Sequence, residues 1–314
     1  MTPILVPGEI LVEIMADAAG HGFREALALT GPYPSGAPAI FASQAARLGA
    51  RVAMISAVGR DDFGRVNLDR LRADGVDISA ISVTDRATGS AFVRYRPEGG
   101  RDFVFNLRHA ACGHLRPGKA AARAVAEAGH LHVMGSSLSI PWVRRLVLAA
   151  APQIKARGGT VSFDPNLRPE VLGAPGRQSG VFAAMQAVLD LADVFLPSGD
   201  ELWLLTATTP GDAEAATAAL LHRGVGLVVH KQGSAGSSAQ DKHGKITCPA
   251  FPVIEVDPTG AGDCFGAAFV TGWRAGLPLS QALRRACAAG AHAVTRRGPM
   301  EGAAWAAELE SFQT

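Results

Sequence analysis

The run Asp257-Pro258-Thr259-Gly260-Ala261-Gly262-Asp263-Cys264-Phe265-Gly266-Ala267-Ala268-Phe269-Val270 joins two carboxylates, three glycines and an apolar helical pattern in one short stretch. Turn-forming residues lead straight into the helix, so the backbone amides of Gly260, Ala261 and Gly262 fall at its N-terminus. Unpaired amides and the positive end of the helix dipole favour a phosphate or a charge-developing oxygen there, and glycine lets an anion approach the main chain. A carboxylate beside a bound anion costs energy unless it takes part in the chemistry. Asp263 suits an acceptor for a hydroxyl proton, facing a phosphoryl group held by the amides. The competing account is structural: Asp263 caps the helix and the glycines only make the turn.

Other polar clusters point less far. Gly113-His114-Leu115-Arg116-Pro117-Gly118-Lys119-Ala120 satisfies G-x-x-x-x-G-K, but Ala120 stands where a Ser or Thr would hold Mg²⁺, and no buried strand immediately precedes it. Pro117-Gly118 reads as a turn before a helix over 119–128. His130 and His132 share one face of a strand with no further ligand nearby, which favours a packed pair over a metal site. Cys112, Cys248, Cys264 and Cys287 are widely spaced, so neither a disulfide framework nor a zinc site is indicated. Cys264 adjoins the anion site, where its thiol pKa would fall unless it is simply a small packed residue.

The elements that must position this chemistry follow from the hydrophobic pattern. With 314 residues, 48% hydrophobic and 18% charged, the chain can bury a large core. A formal net charge of +2 arises from interspersed acids and bases, which gives no support to nucleic-acid or membrane-headgroup binding. The N-terminus lacks a charged leader and no apolar run approaches the ~20 residues of a membrane helix, so a cytoplasmic protein is expected. Strands are predicted at 4–6, 11–15, 52–58, 78–83, 89–96 and 101–108, and Gly31 to Gly36 reads as a turn before a helix ending at Gly49. From 131 onward, strands at 131–134, 160–164, 194–196 and 225–231 alternate with helices at 141–157, 181–191, 200–205 and 213–223. Such alternation implies a parallel sheet with helices on both faces and ligands at the strand C-termini.

The 257–270 stretch resembles the C-terminal signature of the ribokinase-like, phosphofructokinase-B-type carbohydrate kinases, and similarity extends from Gly8 to about Met300. Within that family the chain looks closest to tagatose kinases and 2-keto-3-deoxygluconate kinases. The resemblance implies a ribokinase-like three-layer α/β/α sandwich with a mainly parallel central sheet and a small β-sheet lid. One kinase domain over 1–314 is expected, with a discontinuous lid at approximately 10–34 and 82–108. An antiparallel edge extension with no moving part is the alternative to a lid. By the same resemblance Asp263 is the general base and the amides of Gly260, Ala261 and Gly262 form the anion hole. Glu13 stands where an aspartate usually binds sugar hydroxyls. Ser35-Gly36 replaces a Gly-Gly pair, Ala37 follows it, and Ile40 occupies an asparagine position. Asp164 and Arg168 fall in an Asp-x-Asn-x-Arg loop, and Arg108 ends a lid strand; both arginines match substrate-binding positions. Glu201 keeps the glutamate of an Asn-x-x-Glu motif, with Ser198 in place of asparagine, and would organise the water shell of Mg²⁺ without a direct bond. On the nucleotide side lie Lys231, Gly233 and Gly236, together with Cys287, Ala289 and Gly290; a hairpin turn at 231–236 is the alternative. His292 either lines the base pocket or packs.

The implied activity is ATP-dependent phosphorylation of a sugar hydroxyl, with ATP and Mg²⁺ as cofactors, and K⁺ near the anion hole as in many relatives. A neutral ketohexose such as tagatose or fructose is the first substrate expectation and a keto-deoxy sugar acid the second, since Arg108 and Arg168 would suit a carboxylate but Glu13 would oppose it. A homodimer through the lid is the expected assembly. A catalytically silent sugar-binding protein is the rival class; a dinucleotide oxidoreductase is disfavoured because no G-x-G-x-x-G follows the first strand.

Overall fold

The structure, a computed structural model, describes residues 2–168, 175–206 and 208–312. In chain order the strands are β1 (Ile4–Pro7), β2 (Leu11–Ala16), β3 (Leu29–Ser35), β4 (Val52–Gly59), β5 (Ile81–Thr84), β6 (Gly89–Tyr95), β7 (Arg101–Asn106), β8 (His130–Met134), β9 (Thr160–Asp164), β10 (Val194–Phe195), β11 (Leu227–Lys231), β12 (Ser237–Asp241) and β13 (Gly244–Cys248). The helices that concern the site are α1 (Ala37–Arg47), α2 (Asp62–Ala73), α3 (Lys119–Glu127), α4 (Pro141–Ala156), α5 (Pro175–Leu189), α6 (Glu201–Leu204), α7 (Ala213–Arg223), α8 (Ala261–Arg274) and α9 (Leu279–Ala293).

Nine strands form one sheet in the order β13-β12-β11-β10-β9-β8-β1-β4-β5, parallel from β11 to β5 and antiparallel at the β12 and β13 edge. Successive side chains alternate faces, as a pleated strand requires. Ile4 and Val6 enter one apolar cluster with α1, α8 and α9, while Leu5 enters a second with α3, α4, α5 and α7. Burial on both faces explains why these strands read as continuous apolar runs.

A second sheet has the order β3-β2-β6-β7 and is the lid. Two of its pairings are antiparallel and β2 runs parallel to β6, with Glu13 opposite Ala91. Two boundaries differ from expectation. The segment Leu29–Ser35 is a strand rather than a turn, because β2 supplies it with a partner ladder that local propensity does not encode. Strand β5 belongs to the large sheet, paired with β4, so the second lid segment begins at Gly89 and not near 82. The hairpin of β12 and β13, which sequence patterning does not signal, extends the sheet beyond Lys231. Gly118 precedes α3 as its N-terminal residue and Lys119 is exposed, a helix start with no phosphate cradle.

His130 and His132 lie fully buried on β8 and share the Ser162 hydroxyl at 2.7 Å each, and His130 also reaches Thr160. Burial holds both imidazoles well below the usual histidine range, hence neutral. They form a packed pair, and His132 stacks on Phe41 of α1.

Asp74 anchors the helices beneath the lid. It is 3% exposed and accepts from Arg47 Nε at 2.8 Å, Arg70 Nε at 3.0 Å and Ser43 Oγ. The same arginines donate to the carbonyls of Ala303 and Met300, so one carboxylate ties α1 and α2 to the chain just beyond Gly298. Removing it leaves the largely desolvated Arg47 without an anion and Arg70 with only the more exposed Glu301, at 3.1 Å. Asp74→Ala is expected to destabilise the protein by ~2–4 kcal/mol in chemical denaturation, the lower part of the range for buried pairs because Arg47 and Arg70 keep 12% and 18% exposure.

Candidate active site

Parallel strands all end on the same side of the sheet, and the chemistry-bearing residues follow their C-termini. Glu9 follows β1, Asp164 ends β9 with Asn166 and Arg168 beyond it, Ser198 and Glu201 follow β10, and Lys231 ends β11. The N-terminus of α8 faces this edge. Gly260 takes φ +82°, and a Cβ there would sit 2.3 Å from the Pro299 carbonyl oxygen, so only glycine turns the chain into α8 so close to the 297–299 loop. At Gly262 a Cβ would have only Lys231 Nζ near it, at 3.7 Å, which leaves the amide side open towards the lysine.

Asp263 occupies the first turn of α8, 6% exposed, and accepts from Asn166 Nδ2 at 3.0 Å. Asn166 has φ +41°, a left-handed conformation uncommon for a side chain other than glycine, and its amide N–H donates to Asp164 at 3.1 Å. Lys231 Nζ donates to the other Asp164 oxygen, an ion pair whose side chains are 9% and 1% exposed. Burial, followed by the negative charge of Asp164, pushes the Asp263 carboxyl up to about 8, against the opposing charges of Arg168 and Lys231. A carboxyl so perturbed beside helix-terminal amides is poised to exchange a proton near neutrality.

Two further carboxyls lie near Arg168. Glu13, 7% exposed, accepts the Ser35 hydroxyl at 2.7 Å through Oε1, while its buried Oε2 has no protein partner. Burial pushes it up to about 7, opposed by the Ser35 hydrogen bond and by Arg101 and Arg168. Glu9 accepts from Ser137 Oγ and is also raised by burial, with Arg168 opposing. The Arg168 charge thus acts on Glu9, Glu13 and Asp263 together. Gly36, φ +111°, starts α1 where a Cβ would lie 2.6 Å from the Glu9 carbonyl oxygen, and Ala37 follows, half-buried.

Glu201 is held rather than free. Its two oxygens accept from the amides of Leu167 at 2.6 Å and Ser198 at 2.7 Å, which locks the loops after β9 and β10 together. With both oxygens engaged, Glu201 suits a role through the water around an ion rather than a direct bond. Among the described residues no three His, Cys, Asp or Glu side chains converge as a metal site.

Several expected site residues lie elsewhere or play other parts. Arg108 is exposed beyond the end of β7, and its carbonyl faces His114; Arg101, at the start of β7, is the lid arginine that reaches the 257–263 turn, donating to Thr259 at 3.1 Å. A strand's ends cannot be ranked for reach until its register is known. Ala289 is fully buried in the core, and Gly290 packs against Ala261 and Phe265 of α8, so these two shape the helix contact. Cys287 meets Ser237 Oγ at 3.0 Å, with its thiol pushed up to about 12 by burial. Burial and Asp263 push the Cys264 thiol up, not down, so it is an inert packed residue. Gly233 and Gly236 form the turn between β11 and β12 with φ of +58° and +92°. His292 packs, its Nδ1 donating to the Gly302 carbonyl at 2.8 Å. Sequence patterning gave no signal for Glu9, Tyr95 or Arg101; Asn166 lay in the Asp-x-Asn-x-Arg loop and Asp257 in the 257–270 run, but neither was expected at the site.

The family model described as pfkB family carbohydrate kinase matches residues 6–306. A fructokinase of Klebsiella pneumoniae is 32% identical over 315 residues, covering 98% of each chain. Among solved structures, a candidate ribokinase II from E. coli in complex with ATP and Mg²⁺ is 45% identical, with a TM-score of 0.89 over 99% of both chains. A double-mutant fructokinase from Vibrio cholerae O395, in its fructose-, ADP- and potassium-bound form, is 27% identical, with a TM-score of 0.83 over 100% of this chain and 99% of its own. Matched by the family model over 6–306 and by a relative 32% identical along 98% of its length, the chain belongs to the pfkB family of carbohydrate kinases and is an ATP-dependent sugar kinase.

Proposed function

We propose that this kinase phosphorylates a hydroxyl of a neutral ketohexose, with fructose the first choice and tagatose the second. The observation that carries this is Glu13 Oε2: a buried carboxylate oxygen with no protein partner, beside Ser35 and within the field of Arg168 and Arg101. Such an oxygen is satisfied by a hydroxyl donor, and an unmet buried acceptor is costly. A keto-deoxy sugar acid fits less well. Arg108 is not at the site, Arg101 is engaged by Thr259, and Glu9 and Glu13 would oppose a carboxylate. The fructokinase names of relatives support the same choice.

In the proposed mechanism Asp263 receives the hydroxyl proton at Oδ, with Asn166 Nδ2 fixing its orientation. The amides of Gly260, Ala261 and Gly262 hold the charge that develops on the transferred phosphoryl oxygens. Lys231, paired to Asp164, brings positive charge to the edge of the same hole. Glu201 keeps the β9 and β10 loops in register for the ion that accompanies the triphosphate, and bound Mg²⁺ would neutralise phosphate charge there. The second sheet acts as a lid that excludes water. Its outer side carries Val104 at 46% exposure, opposite Phe92 of β6, which supports a homodimer through the lid. Four free, buried cysteines and the use of ATP support a cytoplasmic setting.

ATP turnover measured across ketohexoses and keto-deoxy sugar acids tests the substrate. Fructose or tagatose should give the highest kcat/KM, and a clear preference for the acid would overturn the choice. Asp263→Asn should lower kcat by ~10²-fold or more while the KM values for ATP and sugar stay within about threefold. In the unmodified enzyme, kcat/KM for the sugar should rise with pH through a midpoint near 8 and level above it, since only the ionised Asp263 accepts the proton. Gly262→Val should cut kcat/KM by ~10²-fold or more with little loss of stability, because the branched side chain would stand between Lys231 and the amides; unchanged kinetics would place the phosphoryl group elsewhere.

A further inference from the structure

The lid does more than cover the cleft. Two of its side chains fasten to the turn that leads into the anion hole. Tyr95, the last residue of β6, hydrogen-bonds Asp257 Oδ1 through its hydroxyl and lies 3.0 Å from Thr259 Oγ1. Arg101 donates to the same Thr259 oxygen at 3.1 Å. The arrangement has one consistent direction: Arg101 donates to Thr259, the Thr259 hydroxyl to Tyr95, and the Tyr95 hydroxyl to Asp257. Burial, reinforced by Asp257, pushes the Tyr95 hydroxyl up, so it remains a donor.

Asp257 is 1% exposed and spends its other contacts on the local backbone, accepting from the Thr259 amide at 2.9 Å and the Gly298 amide at 2.8 Å. It thereby pins the turn just before Gly260 to the 297–299 loop, the two segments that meet at the Gly260 close approach. Lid strands β2 and β3 grip that loop as well: Arg297 donates to the Ala16 carbonyl at 3.2 Å and to Asp17 at 2.7 Å, and the Tyr33 ring lies against Gly298.

We propose that Tyr95 is a positioning residue that sets the anion hole when the lid is docked, so that sugar held by the lid and phosphoryl held by the amides are read as one state. The sugar side enters through the same strands. Glu13 of β2 pairs with Ala91 of β6, and Ala91, Val93 and Tyr95 share one face, with Tyr95 about 13 Å along the strand from Ala91. A hydroxyl bound at Glu13 therefore steadies the strand pair that carries Tyr95. When the lid lifts, Tyr95 and Arg101 leave with it, a buried carboxylate loses its hydroxyl donor, and the turn before Gly260 is released.

This inference rests on Asp263 and the α8 amides being the phosphoryl site. The experiment is steady-state kinetics of Tyr95→Phe, Thr259→Val and the double variant, using whichever sugar gives the highest wild-type turnover. Each single variant should lower kcat ~10-fold or more with the sugar KM changed less than about threefold, and the double variant should be no worse than either single, since all three break one chain. Wild-type kcat in both single variants would overturn the proposal. So would a rise in sugar KM with kcat unchanged, which would confine Tyr95 to closing the lid, and so would multiplicative losses in the double variant. Thr259→Val keeps the side-chain volume, so it remains informative if Tyr95→Phe folds poorly. A wrong substrate choice would show in the wild-type sugar preference, and a wrong phosphoryl site in an active Asp263→Asn enzyme, whereas failure here shows only in these variants.

Discussion

The structure depends on keeping several carboxyls out of water within reach of a few fixed cations. Asp164, Glu9, Glu13, Glu201 and Asp263 are all at most 9% exposed, and the positive charges that act on them are Lys231, Arg168 and Arg101. Desolvation alone would neutralise such groups and the cations alone would ionise them. The balance differs from site to site. Asp164 has a direct ion pair with Lys231, whereas Asp263 has only the Asn166 amide and charges acting from beyond hydrogen-bond contact. That difference gives adjacent carboxyls different tasks: one fixes a lysine and one is free to take a proton.

Backbone geometry supplies what side chains cannot. The proposed anion hole consists of main-chain amides, so its precision would be that of the turn before α8 and of the loop packed behind it. The carbonyl of Pro299 lies where a Gly260 side chain would be, and Asp257 ties the two segments together through backbone amides. The loop is held in turn from below by Arg47 and Arg70 on Asp74, and from above by the lid through Arg297 and Tyr33. Donors fixed in this way need little reorganisation as charge develops, which is the main source of electrostatic catalysis.

The lid shows how one sheet can serve two binding events. Its inner face presents Glu13 and, further along the same register, Tyr95 and Arg101, so recognition at one end and alignment at the other are linked by ordinary strand pairing. No long chain of rearrangements is required, because β2 and β6 are paired directly by hydrogen bonds.

The sequence by itself determined the local elements and the chemistry that is contiguous in the chain. Continuous apolar runs alternating with amphipathic helices specified a parallel sheet covered on both faces, and 257–270 carried turn, amides and carboxylate together because a helix-terminal anion site is a local object. What needed the tertiary structure was everything formed by residues far apart. β3 became a strand only because β2 offered it a partner, and β5 joined the large sheet because β4 had a free edge. Arg101 replaced Arg108 at the site because strand register, invisible in composition, decides which end of β7 faces the cleft. Glu9 is an unremarkable letter in its segment, and neither the loop motif that holds Asn166 nor the run that opens at Asp257 says what those side chains touch. Their roles come from burial and from partners such as Ser137, Asp263 and Tyr95, lying from 97 to 162 positions away, whose proximity is set by packing of the whole core.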